Sequence, residues 1–427
     1  MHAGAHQSRA VLPAPEEVET VTLLQTRPDD PSAVDLGAGS GPEWLDTWLA
    51  DHTADVIGWR RAIHAHPELA RAERMTTELC AEVLRSAGLR PRLLPGTGLI
   101  CDVGSGSRTV ALRADMDALP LHEHSDLPFA SRTPGIAHMC GHDAHTAVLL
   151  GAGVALASVA DRLPGRVRLV FQPAEEVQPG GALEVIAADG LTDVDRIFAL
   201  HCDPRLEVGR VGTRVGPITS ACDMLELRLT SPGGHTSRPH LTADLVHALG
   251  TVITGLPDLL SRRIDPRSGT VLVWGQVDAG HAANAVPEVG TLSGTLRTAQ
   301  HATWNELEPL VRQLVTALLA PTGVGYVLEH RRGVPPVVND AVSADLLARA
   351  AERAVGPGAA TDTEQSSGGE DFGWYLEHVP GAMGRLGVWS GEGPQSDIHQ
   401  PTFRLDERAL PVGVRTMVQA ALLSLEG

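Results

Sequence analysis

Side chains that bind metals or move protons gather at a few points of this chain. His138-Met-Cys-Gly-His-Asp-Ala-His145 is the densest of them. Cys140 and His142 lie two apart, in a glycine-containing turn at the start of an apolar helix. Thiolate and imidazole suit a borderline metal such as zinc, and a helix N-terminus favours the deprotonated thiol. Taken alone, the segment reads equally well as a buried cysteine with helix-capping neighbours. Phe171-Gln-Pro-Ala-Glu-Glu-Val177 sets the adjacent carboxylates Glu175 and Glu176 behind an apolar strand. The C-terminal ends of strands are where α/β sheets place their sites. Adjacent glutamates point in different directions, so one can hold a metal while the other stays free as a base. An isolated Glu-Glu pair is more often a solvated loop.

His201 ends the apolar strand RIFAL, and Asp115 and Asp117 follow Arg113 at the end of TVAL. His399 stands in the loop segment DIHQP before the last helix. Each of these is ordinary by itself. Together, polar groups at several strand ends are much harder to dismiss.

The elements that must position them follow from periodicity. Residues 1–41 are acidic, rich in Pro, Gly and Ala, and aperiodic, which predicts a mobile extension. From Pro42 apolar residues recur at helical steps, and a second helix is expected over Thr76–Ala87, stopped by Gly88. LICDVG, TVALRAD, RVRLVFQ and RIFALH read as strands, with a helix over Ala144–Val159 among them. This alternation predicts an α/β core with a largely parallel sheet flanked by helices. The middle of the chain reads strand, helix, strand, strand, helix, strand, which is a split βαβ arrangement. The predicted organisation is a discontinuous catalytic domain, 42–219 and 334–427, with a ferredoxin-like α+β domain inserted at 220–333.

Composition removes several chemistries. All 34 basic residues are arginine, so lysine Schiff bases, pyridoxal-phosphate catalysis and a P-loop lysine are excluded. Against them stand 52 acidic residues, a net charge of −18, and no long arginine cluster, which argues against nucleic acid. The five cysteines are sparse and odd in number, which favours a reducing compartment. No signal peptide is read at the N-terminus, and no apolar run approaches the ~20 residues a membrane span needs. A soluble cytoplasmic protein is expected.

HMCGHDAH, FQPAEE, ALH, RADMDALP, RRAIHAHPELA, GGHTSRPH, NAVPE, GEDF and IHQPTF also occur here in an order and spacing that resembles one family. It is the metal-dependent amidohydrolases that include aminoacylases, hippurate hydrolases and auxin-conjugate hydrolases. The resemblance covers about residues 42–425. It implies two divalent ions, with Cys140 as the bridging ligand and His142, Glu176, His201 and His399 as the others. It implies Glu175 as general base and His235 as an oxyanion donor reaching a neighbouring subunit's site, hence a homodimer. Asp117 and Asp115 would brace the ligands, and Asn284 and Arg297 would contact substrate. Two metals can polarise a carbonyl and bring a water's pKa to about 7. Cys and His favour zinc, and the carboxylate keeps manganese open. The implied substrate is a small N-acyl amino acid or conjugate. A dipeptidase or carboxypeptidase, and a non-catalytic metal-binding homologue, are the alternative readings. Met139, Gly369, Leu245 and Arg404 depart from the family's usual residues, which touches substrate preference more than activity.

Overall fold

A computed structural model describes residues 41–426, so all but Gly41 of the expected extension lies outside the described residues. Helices α1 (Glu43–Ala65) and α2 (Arg74–Ser86) lead into strands β1 (Arg92–Leu93), β2 (Leu99–Gly104) and β3 (Thr109–Asp115). Helix α3 (His142–Ala157) precedes β4 (Arg166–Gln172), β5 (Arg196–Glu207) and β6 (Val211–Thr213). A second unit follows: β7 (Ala221–Thr230), α4 (Leu245–Arg263), β8 (Val271–Ala279), β9 (Val289–Thr298), α5 (His301–Leu319) and β10 (Gly325–Val334). The chain returns through α6 (Ala341–Val355), β11 (Ala360–Asp362), β12 (Gly381–Trp389) and α7 (Ala409–Glu426).

The first sheet has the order β1-β2-β4-β3-β5-β12-β6-β11. Its four central strands run parallel, while β1, β2 and β6 introduce antiparallel pairings, so the sheet is mixed. β3 is buried at all seven positions, as a strand covered on both faces must be. Helix α3 packs with α1 and α7 on one side of that sheet. Its small residues allow the close approach: a Cβ on Gly151 would lie 2.7 Å from Val414, and one on Gly153 2.4 Å from Leu169. Ala, Gly and Val thus fill a core with few aromatics.

The second sheet, β8-β9-β7-β10, is antiparallel throughout. β7 alternates buried and exposed along most of its length because α4 and α5 cover one face only. This is the strand order of the split βαβ arrangement. Among the described residues, no helix is long and apolar enough to cross a membrane.

Candidate metal centre

Because β3, β4 and β5 are parallel, their C-terminal ends meet at one edge of the sheet, and the candidate groups collect there. Asp115 closes β3, and Glu175 and Glu176 follow β4 within four residues. His201 corrects the expectation of a strand end. β5 continues to Glu207 because β12 supplies a parallel neighbour along that stretch. α3 also begins two residues earlier than expected, so His142 is its first residue, after Gly141 at φ 89°.

Each histidine's free nitrogen is set by what the other nitrogen touches. His142 Nδ1 donates to the Asp117 carbonyl at 2.9 Å, leaving Nε2 buried without a partner. His201 Nδ1 donates to the Cys202 carbonyl at 2.8 Å, and its Nε2 lies 3.5 Å from Cys140 Sγ. His145 differs: its Nε2 accepts the Cys202 N–H at 2.8 Å and its Nδ1 donates to Asp115 at 2.6 Å, so both nitrogens are spent. Second partners of this kind fix ring orientation and tautomer.

The glutamate corner is held from several sides. Ala174 takes φ 57°, and its N–H donates to buried Glu73 at 2.8 Å. Asp117 then accepts the N–H of Glu175 and of Glu176, each at 2.9 Å. Asp117 therefore orients His142 through its backbone carbonyl, and spends its carboxylate on the corner. Asp117→Asn turns one acceptor into a donor facing an N–H, and should cost about 2 kcal/mol in denaturant unfolding. Gly181 donates its N–H to the Ala174 carbonyl, and a Cβ there would sit 1.9 Å from the Pro173 carbonyl oxygen. Backbone cannot yield as a side-chain tip can, so Gly181→Ala should lower stability by about 3 kcal/mol, read from the denaturation midpoint.

Two donor groups share one residue. Cys140, His142 and His201 form the first, and Cys140, Glu176 and His399 the second, with all ligand atoms of a group within 4.8 Å of one another. His399 Nε2 lies 3.3 Å from Glu176 Oε1, an oxygen that accepts no hydrogen bond. Glu175 lies outside both of these groups and clusters with Glu370 and Asp371 as well as with His142 and Glu176. Burial, then the carboxylates of Glu370 and Glu176, hold Glu175 well above the usual carboxylate range. Burial, then Glu176 and Glu175, likewise push the Cys140 thiol up, outweighing the helix N-terminus expected to favour the thiolate. Burial opposes charge on His142, but Asp115, Asp117 and Glu176 outweigh it and raise the imidazole to about 10. The centre demands positive charge.

Glu370 and Asp371, in GEDF, join the centre although no local sequence pattern signals a role for them. Both meet the buried Arg113 guanidinium, at 3.0 and 2.8 Å, which also donates to Asp115 and Gln172. A cavity of about 500 Å³ opens over the centre, lined by Cys140, Glu175, Glu176, His201, His399 and Arg297 among others. Arg297 reaches it from β9 and donates to the Ser367 carbonyl at 2.7 Å. His235 and Asn284 do not line this cavity. Both are exposed near the short pairing of His235 with Ala285 on the inserted unit.

A mixed α/β sheet bearing a buried Cys–His–Glu centre, with an inserted split βαβ unit, describes one class of chain. The sequence belongs to peptidase family M20/M25/M40, whose pattern it matches over residues 111–423. It is 55% identical over 394 residues to a Rhodococcus jostii (strain RHA1) protein named as glutamate–cysteine ligase 2-3, covering 92% of this chain and 49% of that one. The chain thus spans about half of that relative's length. It is 36% identical over 382 residues to N-acetylcysteine deacetylase of Bacillus subtilis (strain 168), covering 88% and 98% of the two chains. The crystal structure of a dinuclear metal binding M20 peptidase from Bacillus subtilis superposes with a TM-score of 0.77 at 32% identity, covering 88% and 99%.

Proposed function

We propose that the chain hydrolyses the amide bond of N-acyl amino acids or related conjugates, using two divalent ions and Glu175 as general base. The observation that carries this is the convergence of unpaired donors. His142 Nε2 and Glu176 Oε1 are buried without hydrogen-bond partners, in groups that share Cys140. Nitrogen, oxygen and sulfur donors of this kind fit zinc, with manganese admitted by the carboxylate. Cys140, His142, Glu176, His201 and His399 would hold the ions, which when bound would polarise the scissile carbonyl and acidify a water. Glu175 lies 3.9 Å from His142 Nε2, and its carboxylate would take the water's proton and deliver it to the leaving nitrogen. Asp115 and Asp117 would keep the ligand frame in register, and Arg297 would grip a substrate carboxylate with its planar fork.

His235, exposed on the inserted unit, would act on the site of a second copy as a donor to the developing oxyanion. Two residue ranges, 42–219 with 334–427 and 220–333, would then form a catalytic and a dimerising domain. Exposed Val271, Val273 and Val277 on the edge strand β8 support an interface there. Mixing the separately inactive Glu175→Gln and His235→Ala proteins should restore activity, and no recovery in a mixed dimer would remove this role. All five cysteines are free and buried, which supports a reducing, cytoplasmic setting.

The test is a substrate panel on metal-reconstituted protein: N-acetylcysteine first, after the named relative, then acetyl, benzoyl and long-chain acyl amino acids, and dipeptides. Hydrolysis of an N-acyl amino acid is expected. Cleavage of dipeptides alone would move the chain to the peptidase reading.

A further inference from the structure

A second buried arginine stands at this centre beside Arg113. Arg385 lies on β12 directly beside His201 of β5 in the parallel register, so it faces the same side of the sheet as the candidate ligands. It is 7% exposed and lines the cavity together with Cys140, His201 and Glu370. Among the described residues its guanidinium has neither a hydrogen bond nor an ion pair. The nearby carboxylates make their arginine contacts with other side chains, and Glu370 Oε2 is left without a hydrogen-bond partner. Asp203 accepts Arg205 through two contacts of 3.0 Å, and Glu370 accepts Arg113 at 3.0 Å. Arg113, equally buried in the same centre, meets four acceptors.

None of the Arg385 guanidinium nitrogens is fully enclosed without a partner, so the fork opens to the cavity and is free to meet an anion there. Its rigid fork matches a carboxylate at two points. Arg297 enters the same cavity from the inserted unit. Two guanidinium groups brought to one cavity by different sheets suit a molecule with two anionic ends.

The geometry points to Arg385 as a specificity-determining residue that binds a second carboxylate of the substrate. The chain therefore prefers N-acyl amino acids that carry two carboxylates over matched ones that carry one. This rests on the amidohydrolase reading for the reaction, though not for the binding of the anion. The second carboxylate can belong to the amino acid or to the acyl group, and matched pairs separate these sources. N-acetyl-L-glutamate is set against N-acetyl-L-glutamine, and N-succinyl-L-leucine against N-butyryl-L-leucine.

In one of these pairs the metal-loaded wild type should favour the dicarboxylate in kcat/KM. Arg385→Met should reduce that preference about ten- to hundredfold, mainly through KM, as expected for loss of a charge-assisted hydrogen-bond pair. Arg385→Lys should recover part of it. Absence of any preference in the wild type, or an equal loss on both members of each pair, would overturn the proposal. The latter would assign the charge to balancing the Cys140 centre. Calorimetry with glutarate supplies a readout independent of turnover, and binding should weaken in Arg385→Met by a similar factor. If no amide is cleaved but glutarate binding depends on Arg385, the anion site stands and the hydrolase reading falls. Glutarate binding unchanged by the substitution would count against the anion site.

Discussion

Glu175→Gln is expected to lower kcat on the best N-acyl amino acid by about a thousandfold, within the range a general base contributes. KM and metal content should change little, because the amide keeps the size of the side chain and the shared Cys140 groups do not include it. The opposite outcome is informative. Glu175 also lies within ligand reach of His142 and Glu176. Loss of an ion in the variant would therefore make Glu175 a ligand and leave the base elsewhere. Stability provides a second readout. In the folded protein burial and neighbouring carboxylates raise Glu175 well above its unfolded range. Such a group costs nothing below the unfolded value of about 4.3, and its cost grows as pH rises toward the folded value. In a chelator, Glu175→Gln should melt like wild type near pH 4 and above it at neutral pH. A variant that melts below wild type at neutral pH would contradict the crowding of carboxylates described for this corner.

His142→Ala should have the second large effect, and in the opposite direction for stability. With metal present it removes a ligand common to the first donor group, and activity should fall at least a thousandfold with loss of bound ion. Without metal, the His142 imidazole lies among several carboxylates, at 3.5 Å from Asp117 and 3.8 Å from both Asp115 and Glu176. Removing one partner of such a buried set costs about 3–5 kcal/mol. The sign follows from its raised value of about 10. The stabilisation is complete below the unfolded value of about 6.5 and disappears as pH rises through the folded one. The difference between wild type and variant, measured in chelator, should therefore be widest near pH 6 and narrow toward pH 10. Metal must displace that proton, so ion binding should release protons and weaken as pH falls. A pH-independent difference would place the stabilisation in packing rather than charge.

Much of this architecture is legible in the residues. LICDVG, TVALRAD and RVRLVFQ coincide with β2, β3 and β4, because strands buried on both faces leave continuous apolar runs. ACDMLELRLT coincides with β7 because a half-covered sheet writes an alternation. The Cys140–His142 spacing and the glutamate pair were readable because consecutive residues share one turn. What escaped depends on contacts far apart in the chain. β12 is Gly- and Met-containing, a poor strand by propensity, and its glycines serve close approach: a Cβ on Gly387 would lie 2.1 Å from the Glu207 carbonyl oxygen. Missing β12 also meant missing Arg385 and the continuation of β5 past His201. Glu73 holds Ala174 across a hundred residues, with no local pattern to announce it. His145 carries the same motif signal as His142, yet only the fold shows that both its nitrogens are occupied.

The claim at the centre of this account is that hydrolysis needs two ions held by this one cluster. Metal-free protein titrated with Zn²⁺, and separately with Mn²⁺, while following hydrolysis of an N-acyl amino acid and counting bound metal, tests it most directly. Activity should be absent in chelator and rise to a plateau at two ions per chain, with Glu175→Gln binding the same two ions and remaining inactive. Hydrolysis that persists in chelator, or two bound ions that confer none on any member of the panel, would contradict it.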